Sequence, residues 1–130
     1  MLTKGNGRIL VMDDEALIRE LLGRMLEKLG YESEPSENGT EAIEKYKQAI
    51  ESEKPYDAVI LDLNVPGEMG GKETVGKIME IDPDVKAIVT SGYSEDSTSA
   101  SLHEYGFKGI LPKPFDFELL SEMMQKVIKG

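Results

Sequence analysis

Asp13, Asp14, Asp62, Ser91 and Lys113 are the side chains of this sequence that could do chemistry together, because each follows a short apolar run. Residues 8–12 run into Asp13-Asp14, residues 59–61 into Asp62, residues 85–90 into Ser91, and residues 109–111 lead through Pro112 to Lys113. Neighbouring carboxylates repel one another and raise one another's pKa unless a cation stands among them. Oxygen ligands without His or Cys select a hard ion, which points to Mg²⁺ retaining several of its own waters. With Asp14 and Asp62 as direct ligands and Asp13 acting through water, room is left for a phosphoryl group on an Asp62 oxygen. Mg²⁺, Lys113 and the Ser91 hydroxyl could then neutralise or hydrogen-bond the oxygens of that group. Gly92 has no side chain to block the approach beside Ser91.

Taken singly, these residues have plainer roles. An Asp13-Asp14 pair can simply cap a helix, since carboxylates favour helix N-termini. Lys113 between two prolines can be an ordinary surface lysine, and Ser91 alone is uninformative. Thr90 rivals Ser91 for the hydroxyl role, although strand alternation lets only one of them face the crevice. His103 lies in a polar helical stretch and reads as a surface residue, and the Glu/Lys-rich stretch 41–54 as a solvated helix face. The seven methionines fall at helical core positions or in loops and call for no cofactor.

The elements that must position the set alternate along the chain. Strands are expected over residues 8–12, 31–36, 56–62, 85–90 and 109–111. Helical spacing of apolar residues follows each: Leu17 to Leu29 after an Asp14 N-cap, Ala42 to Ile50 after an Asn38 cap with Glu41 three residues on, 72–81, 97–105, and from about Asp116 to Ile128. Residues 31–36 are polar and suit an edge strand. Residues 67–71 read as a flexible loop. Each strand-to-strand link contains a helix, so the strands should be parallel with right-handed crossovers. An α/β, doubly wound five-stranded sheet closes that pattern, and its strand ends share one crevice.

At 130 residues this is one domain, read as residues 8–130 behind a tail or linker at 1–7. The net charge of −10 disfavours direct nucleic-acid binding, which needs a basic face. No apolar run approaches a membrane span, no signal core opens the chain, and the absence of cysteine fits a cytoplasmic location.

The chain resembles a response-regulator receiver domain of two-component signalling. The matching residues are Ile9-Leu10-Val11-Met12-Asp13-Asp14-Glu15, Asp62 with Pro66, Ser91-Gly92-Tyr93 and Lys113-Pro114-Phe115, which span nearly the whole chain. The resemblance implies the flavodoxin-like receiver fold with strand order 2-1-3-4-5 and a cis bond before Pro114. It makes Asp62 the phosphoacceptor, Asp13 and Asp14 the acidic pair, and Asn64 the residue whose backbone carbonyl completes the Mg²⁺ site. Ser91 becomes the hydroxyl switch residue, selected over Thr90 by the family pattern of hydroxyl, small residue, then Tyr. Lys113 becomes the phosphate-contacting lysine.

The implied partners are a histidine kinase or a histidine phosphotransfer domain, with a homodimer through the last two helices a further option. The apolar side of the first helix (Ala16, Leu17, Ile18) is a candidate docking patch. Self-phosphorylation from phosphohistidine and slow autodephosphorylation are the only catalysis implied. Two departures stand out: Ile110 occupies the place where the family often has an aromatic switch, and the loop 66–71 is one residue longer than the commoner form. The longer loop is similar to that of receivers fused behind sensor histidine kinases. A haloacid-dehalogenase-like phosphatase is the enzymatic alternative, but Asn64 stands where that chemistry wants an Asp to transfer protons. A receiver-like scaffold that is never phosphorylated would need neither the carboxylates nor Lys113.

Overall fold

A computed structural model of the chain describes residues 7–63, 65, 67, 69–92 and 99–129. Strands and helices alternate throughout: β1 (Gly7–Met12), α1 (Ala16–Lys28), β2 (Tyr31–Ser36), α2 (Gly39–Glu51), β3 (Ala58–Asp62), α3 (Gly71–Ile81), β4 (Ala87–Ser91), α4 (Ser99–Glu104), β5 (Gly109–Pro112) and α5 (Phe117–Lys129). All strand pairings are parallel, in the order β2-β1-β3-β4-β5. The order reverses between β1 and β3, and the crevice outside the carboxyl ends of strands at such a switch point is where this architecture binds ligands. Asp13 follows the end of β1 and Asp62 ends β3.

The sheet is covered on both faces. Leu10, Met12, Val59, Leu61 and Val89 pack against Ala42 and Tyr46 of α2, Val75 and Ile78 of α3, and Leu102 of α4. Ile9, Val11, Ile60, Ile88 and Leu111 pack against Leu22 and Leu26 of α1 and Leu120 and Met124 of α5. Burial on both faces explains why every residue of β3 is buried and why its sequence is an unbroken apolar run up to Asp62. β2, the polar strand, is an edge strand as its composition requires.

The element bounds differ from the sequence reading where burial and ladder pairing part company. β3 begins at Ala58 rather than 56, and β4 at Ala87 rather than 85. Tyr56 and Val85 are buried without belonging to a strand. The Arg8 guanidinium lies over the Tyr56 ring at 4.6 Å, and the Val85 N–H donates to the Asp82 carbonyl in a turn at 3.1 Å. β1 begins at Gly7, one residue early.

The N-cap of α1 is Glu15 rather than Asp14, and it makes no side-chain capping bond. The capping expectation at α2 holds, with Asn38 Oδ1 accepting from the Glu41 N–H at 2.9 Å. Glu41 reaches back to the Glu37 N–H at 2.8 Å, one residue beyond the usual capping-box partner. The expected start of the fourth helix, at 97 and 98, lies outside the described residues.

Candidate functional site

β1 delivers Asp13 fully buried. Its N–H donates to the Ser36 carbonyl at 3.1 Å, extending the β1–β2 pairing by one residue. Its carboxylate is held at both oxygens, Oδ1 accepting from the Glu15 N–H at 2.9 Å and Oδ2 from Lys113 Nζ at 3.2 Å. Asp13 therefore shapes the turn into α1, leaving Asp14 exposed at the mouth. The Asp13 carbonyl accepts from Arg19 Nη1 at 2.7 Å, a bond from α1 that nothing in the sequence announced.

Asp62 is 5 % exposed, and its Oδ1 lies 3.4 Å from Lys113 Nζ. Asp13, Asp14 and Asp62 each place a carboxylate oxygen within 4.8 Å of the others. Ligand oxygens around Mg²⁺ sit about 2.1 Å from the ion, hence about 3 to 4 Å from one another, so this all-oxygen cluster fits such an ion with little adjustment. Burial pushes the Lys113 ammonium towards its neutral form, but Asp62 and then Asp13 outweigh it and hold the pKa above the ordinary lysine value. Lys113 is thus a fixed positive charge between two buried carboxylates at neutral pH.

The tips of β4 and β5 are tied together by the Lys113 N–H, which donates to the Ser91 carbonyl at 2.8 Å. The Lys113-Pro114 bond is cis, as the resemblance implied. Ser91 is 8 % exposed and its hydroxyl donates to the Gly92 carbonyl at 3.2 Å. A Cβ built on Gly92 would meet nothing within 4 Å, so the approach there is open whether or not the residue is glycine. The structure therefore gathers Asp13, Asp14, Asp62 and Lys113 at one point, with Ser91 on the neighbouring strand tip. Asn64, Pro66 and Tyr93 lie outside the described residues.

The sequence reading missed the role of Gly70 and Gly71. A Cβ at Gly71 would stand 2.8 Å from the Asp62 carbonyl oxygen, and one at Gly70 2.7 Å from that of Leu63. The start of α3 is pressed onto the strand end that presents Asp62, and the Gly71 N–H donates to the Leu63 carbonyl at 3.2 Å. Two adjacent glycines were the available signal; their proximity to Asp62 is a tertiary fact. His103 is exposed, as expected, with Nδ1 2.9 Å from the Phe107 carbonyl, and Ile110 is half-buried against the core.

A parallel sheet of this order, doubly wound, with an acidic crevice and a lysine reaching its switch point, defines a flavodoxin-like domain with a cation-binding type of crevice. Residues 9–125 match the family model of the response regulator receiver domain, and the chain belongs to that family. It is similar to a chemotaxis protein CheY of Thermotoga maritima, 37% identical over 123 residues that cover 94% of this chain and 98% of the relative. Sporulation initiation phosphotransferase F of Bacillus subtilis is 31% identical over 123 residues, covering 95% of this chain and 94% of its own length. Among solved structures, the response regulator protein TrrA of Thermotoga maritima in complex with Mg²⁺-BeF is 38% identical with a TM-score of 0.79, covering 92% of this chain and 97% of the other. The phosphatase alternative finds no support among these matches. No helix among the described residues is long and apolar enough to cross a membrane.

Proposed function

We propose that this domain takes a phosphoryl group from a phosphohistidine onto Asp62 and holds it as a signalling switch. The observation that carries the reading is the Lys113 ammonium set 3.2 Å from Asp13 and 3.4 Å from Asp62 inside a three-carboxylate cluster. An Asp62 oxygen attacks phosphorus, the P–N bond of the donor breaks, and its electron pair returns to the imidazole nitrogen. Lys113 already stands where the incoming negative oxygens need a cation, so little reorganisation is required. The Ser91 hydroxyl rotates from the Gly92 carbonyl to donate to one of those oxygens. Asp14 and Asp62 would hold Mg²⁺, with Asp13 acting through water and the Asn64 carbonyl the further ligand that the family resemblance implies, and the ion would supply the remaining charge neutralisation. That the similar protein TrrA was solved in complex with Mg²⁺-BeF supports Mg²⁺ as the ion of this reading.

The donor is a histidine kinase or a histidine phosphotransfer domain. Leu17, 80% exposed on the first turns of α1 beside Asp14, suits a docking contact with such a donor. A new doubly charged group at the crevice biases the segments after β3 and β4 and so the face of α4, β5 and α5. With Ile110 in β5, that readout does not depend on an aromatic ring turning. Slow hydrolysis of the acyl phosphate resets the switch.

Phosphoramidate carries the P–N bond of the natural donor and tests the chemistry without a partner protein. With Mg²⁺, phosphorus NMR should show an acyl phosphate and a slow release of orthophosphate, both absent in Asp62→Asn. Equal release by the variant and the wild type would refute the reading.

A further inference from the structure

Asp13 is fully buried, so its backbone carbonyl is cut off from water. Among the described residues the partner of that carbonyl is Arg19 Nη1, at 2.7 Å. A buried carbonyl without a donor is costly, which accounts for a guanidinium reaching back to it from the start of α1. Arg19 makes no ion pair with a carboxylate among the described residues, although three carboxylates gather beside the segment it holds. Asp14 follows that carbonyl. It is exposed, and its side chain has no hydrogen bond or ion pair of its own among the described residues. Its direction is therefore set by the backbone on either side. Arg19 fixes the peptide before it through the Asp13 carbonyl, and Asp13 Oδ1 fixes the peptide after it by accepting from the Glu15 N–H at 2.9 Å. Peptide units are planar, so two held planes leave the dihedrals of Asp14 little freedom. Asp13 and Asp62 are kept in place by burial and by Lys113, whereas Asp14 depends on its backbone.

We propose that Arg19 is a positioning residue of the cation site. By holding the Asp13 carbonyl it fixes the peptide that aims Asp14, and so pre-organises the acidic cluster for a small octahedral ion. The inference rests on the reading of Asp14 as a ligand of that ion. Arg19 acts through the backbone and not through its charge, and the two routes have opposite signs. A positive charge near the cluster repels a cation, so its removal alone would tighten Mg²⁺ binding. Loss of a group that orients a ligand weakens binding instead, by about tenfold at the low end of such effects. Mg²⁺ demands near-ideal octahedral geometry, whereas Ca²⁺ accepts irregular ligand sets. A misdirected Asp14 therefore penalises Mg²⁺ more than Ca²⁺.

The test compares wild type, Arg19→Met, Arg19→Lys and Asp14→Asn. Amide NMR titrations read the affinity for Mg²⁺ and, separately, for Ca²⁺, and thermal unfolding without divalent ions confirms that each variant is folded. Arg19→Met, which keeps the apolar stem, should bind Mg²⁺ about tenfold more weakly than wild type. Its Ca²⁺ affinity should fall by about threefold or less, because that ion tolerates the displaced carboxylate. Arg19→Lys keeps the charge but is one bond too short for the same contact, so it should lose about threefold for Mg²⁺, midway on a logarithmic scale. A merely structural Arg19 would lower the unfolding temperature and leave both affinities of the folded protein unchanged, which overturns the proposal. Tighter Mg²⁺ binding in Arg19→Met overturns it too, as does an equal loss for the two ions. Should Arg19→Met not fold, Arg19→Lys decides alone, and wild-type affinity for both ions in that variant overturns the proposal. Asp14→Asn with undiminished Mg²⁺ affinity overturns instead the ligand reading on which the proposal rests.

Discussion

At the scale of the residue, Lys113 decides the electrostatics. Three carboxylates meet there, two of them buried, and a single ammonium stands between the buried pair. Removing that ammonium leaves buried like charges facing each other, which costs more than the pair itself contributes. Lys113→Met should therefore lower stability by about 3 kcal/mol at neutral pH, measured by urea unfolding without divalent ions. Adding Mg²⁺ should recover part of the loss in the variant.

The pH dependence has a fixed sign. The folded pKa of Lys113 lies above the ordinary value of 10.5, so its contribution is complete below that pH and fades as pH rises through the higher folded value. Wild type should lose its advantage over Lys113→Met only in strongly alkaline thermal scans. An advantage that instead vanished near neutrality would contradict the ion-pair geometry.

Asp13, Asp62 and Lys113 were legible in the sequence because each closes an apolar strand, and strand ends in this architecture share one edge. The division of labour within 13–15 was not legible. Three consecutive acceptors all suit a helix start, and only the fold shows that Asp13 binds the Glu15 N–H and leaves Asp14 free. The place of Thr90 beside Asp62 was equally out of reach, because strand register is a non-local property.

At the scale of the element, the start of α3 positions the Asp62 strand end by contact. Gly71→Ala would drive a Cβ to 2.8 Å from the Asp62 carbonyl oxygen, a backbone atom that cannot swing away. Gly76, in the same helix, is exposed with open space around its Cβ position. Gly76→Ala should stabilise the domain by about 1 kcal/mol through helix propensity. Gly71→Ala should destabilise it by roughly 1 to 3 kcal/mol and slow phosphorylation, since overpacking here moves the phosphoacceptor's backbone. Chemical unfolding and the phosphoramidate assay read both. Asn38→Ala should cost about 1 kcal/mol through the lost α2 cap while leaving phosphorylation near wild type.

Helix existence, strand order and the edge place of β2 followed from periodicity, alternation and the family resemblance. The starts of β3 and β4 did not, because Tyr56 and Val85 are apolar for burial rather than for pairing. Sequence hydrophobicity reports the first and is silent on the second.

At the scale of the whole molecule, a net charge of −10 on 130 residues is spread over a solvated surface, yet the functional part is the three carboxylates at the switch point. Ionic strength should screen the former more than the latter, since buried charges are screened less. Mg²⁺ at about a hundred times its dissociation constant should therefore stabilise the fold by about 2.7 kcal/mol, even in moderate salt. Asp14→Asn should lose most of that increment in differential scanning fluorimetry. An undiminished increment in the variant would place the ion elsewhere on the acidic surface.

The most direct test of the central claim is the intact mass of the protein after a small phosphodonor, with and without Mg²⁺, followed by mapping of any adduct. A single phosphoryl adduct on Asp62 is expected, dependent on Mg²⁺, labile in base and missing in Asp62→Asn. Folded, Mg²⁺-binding protein that gains no adduct, or gains it at another residue, would contradict it.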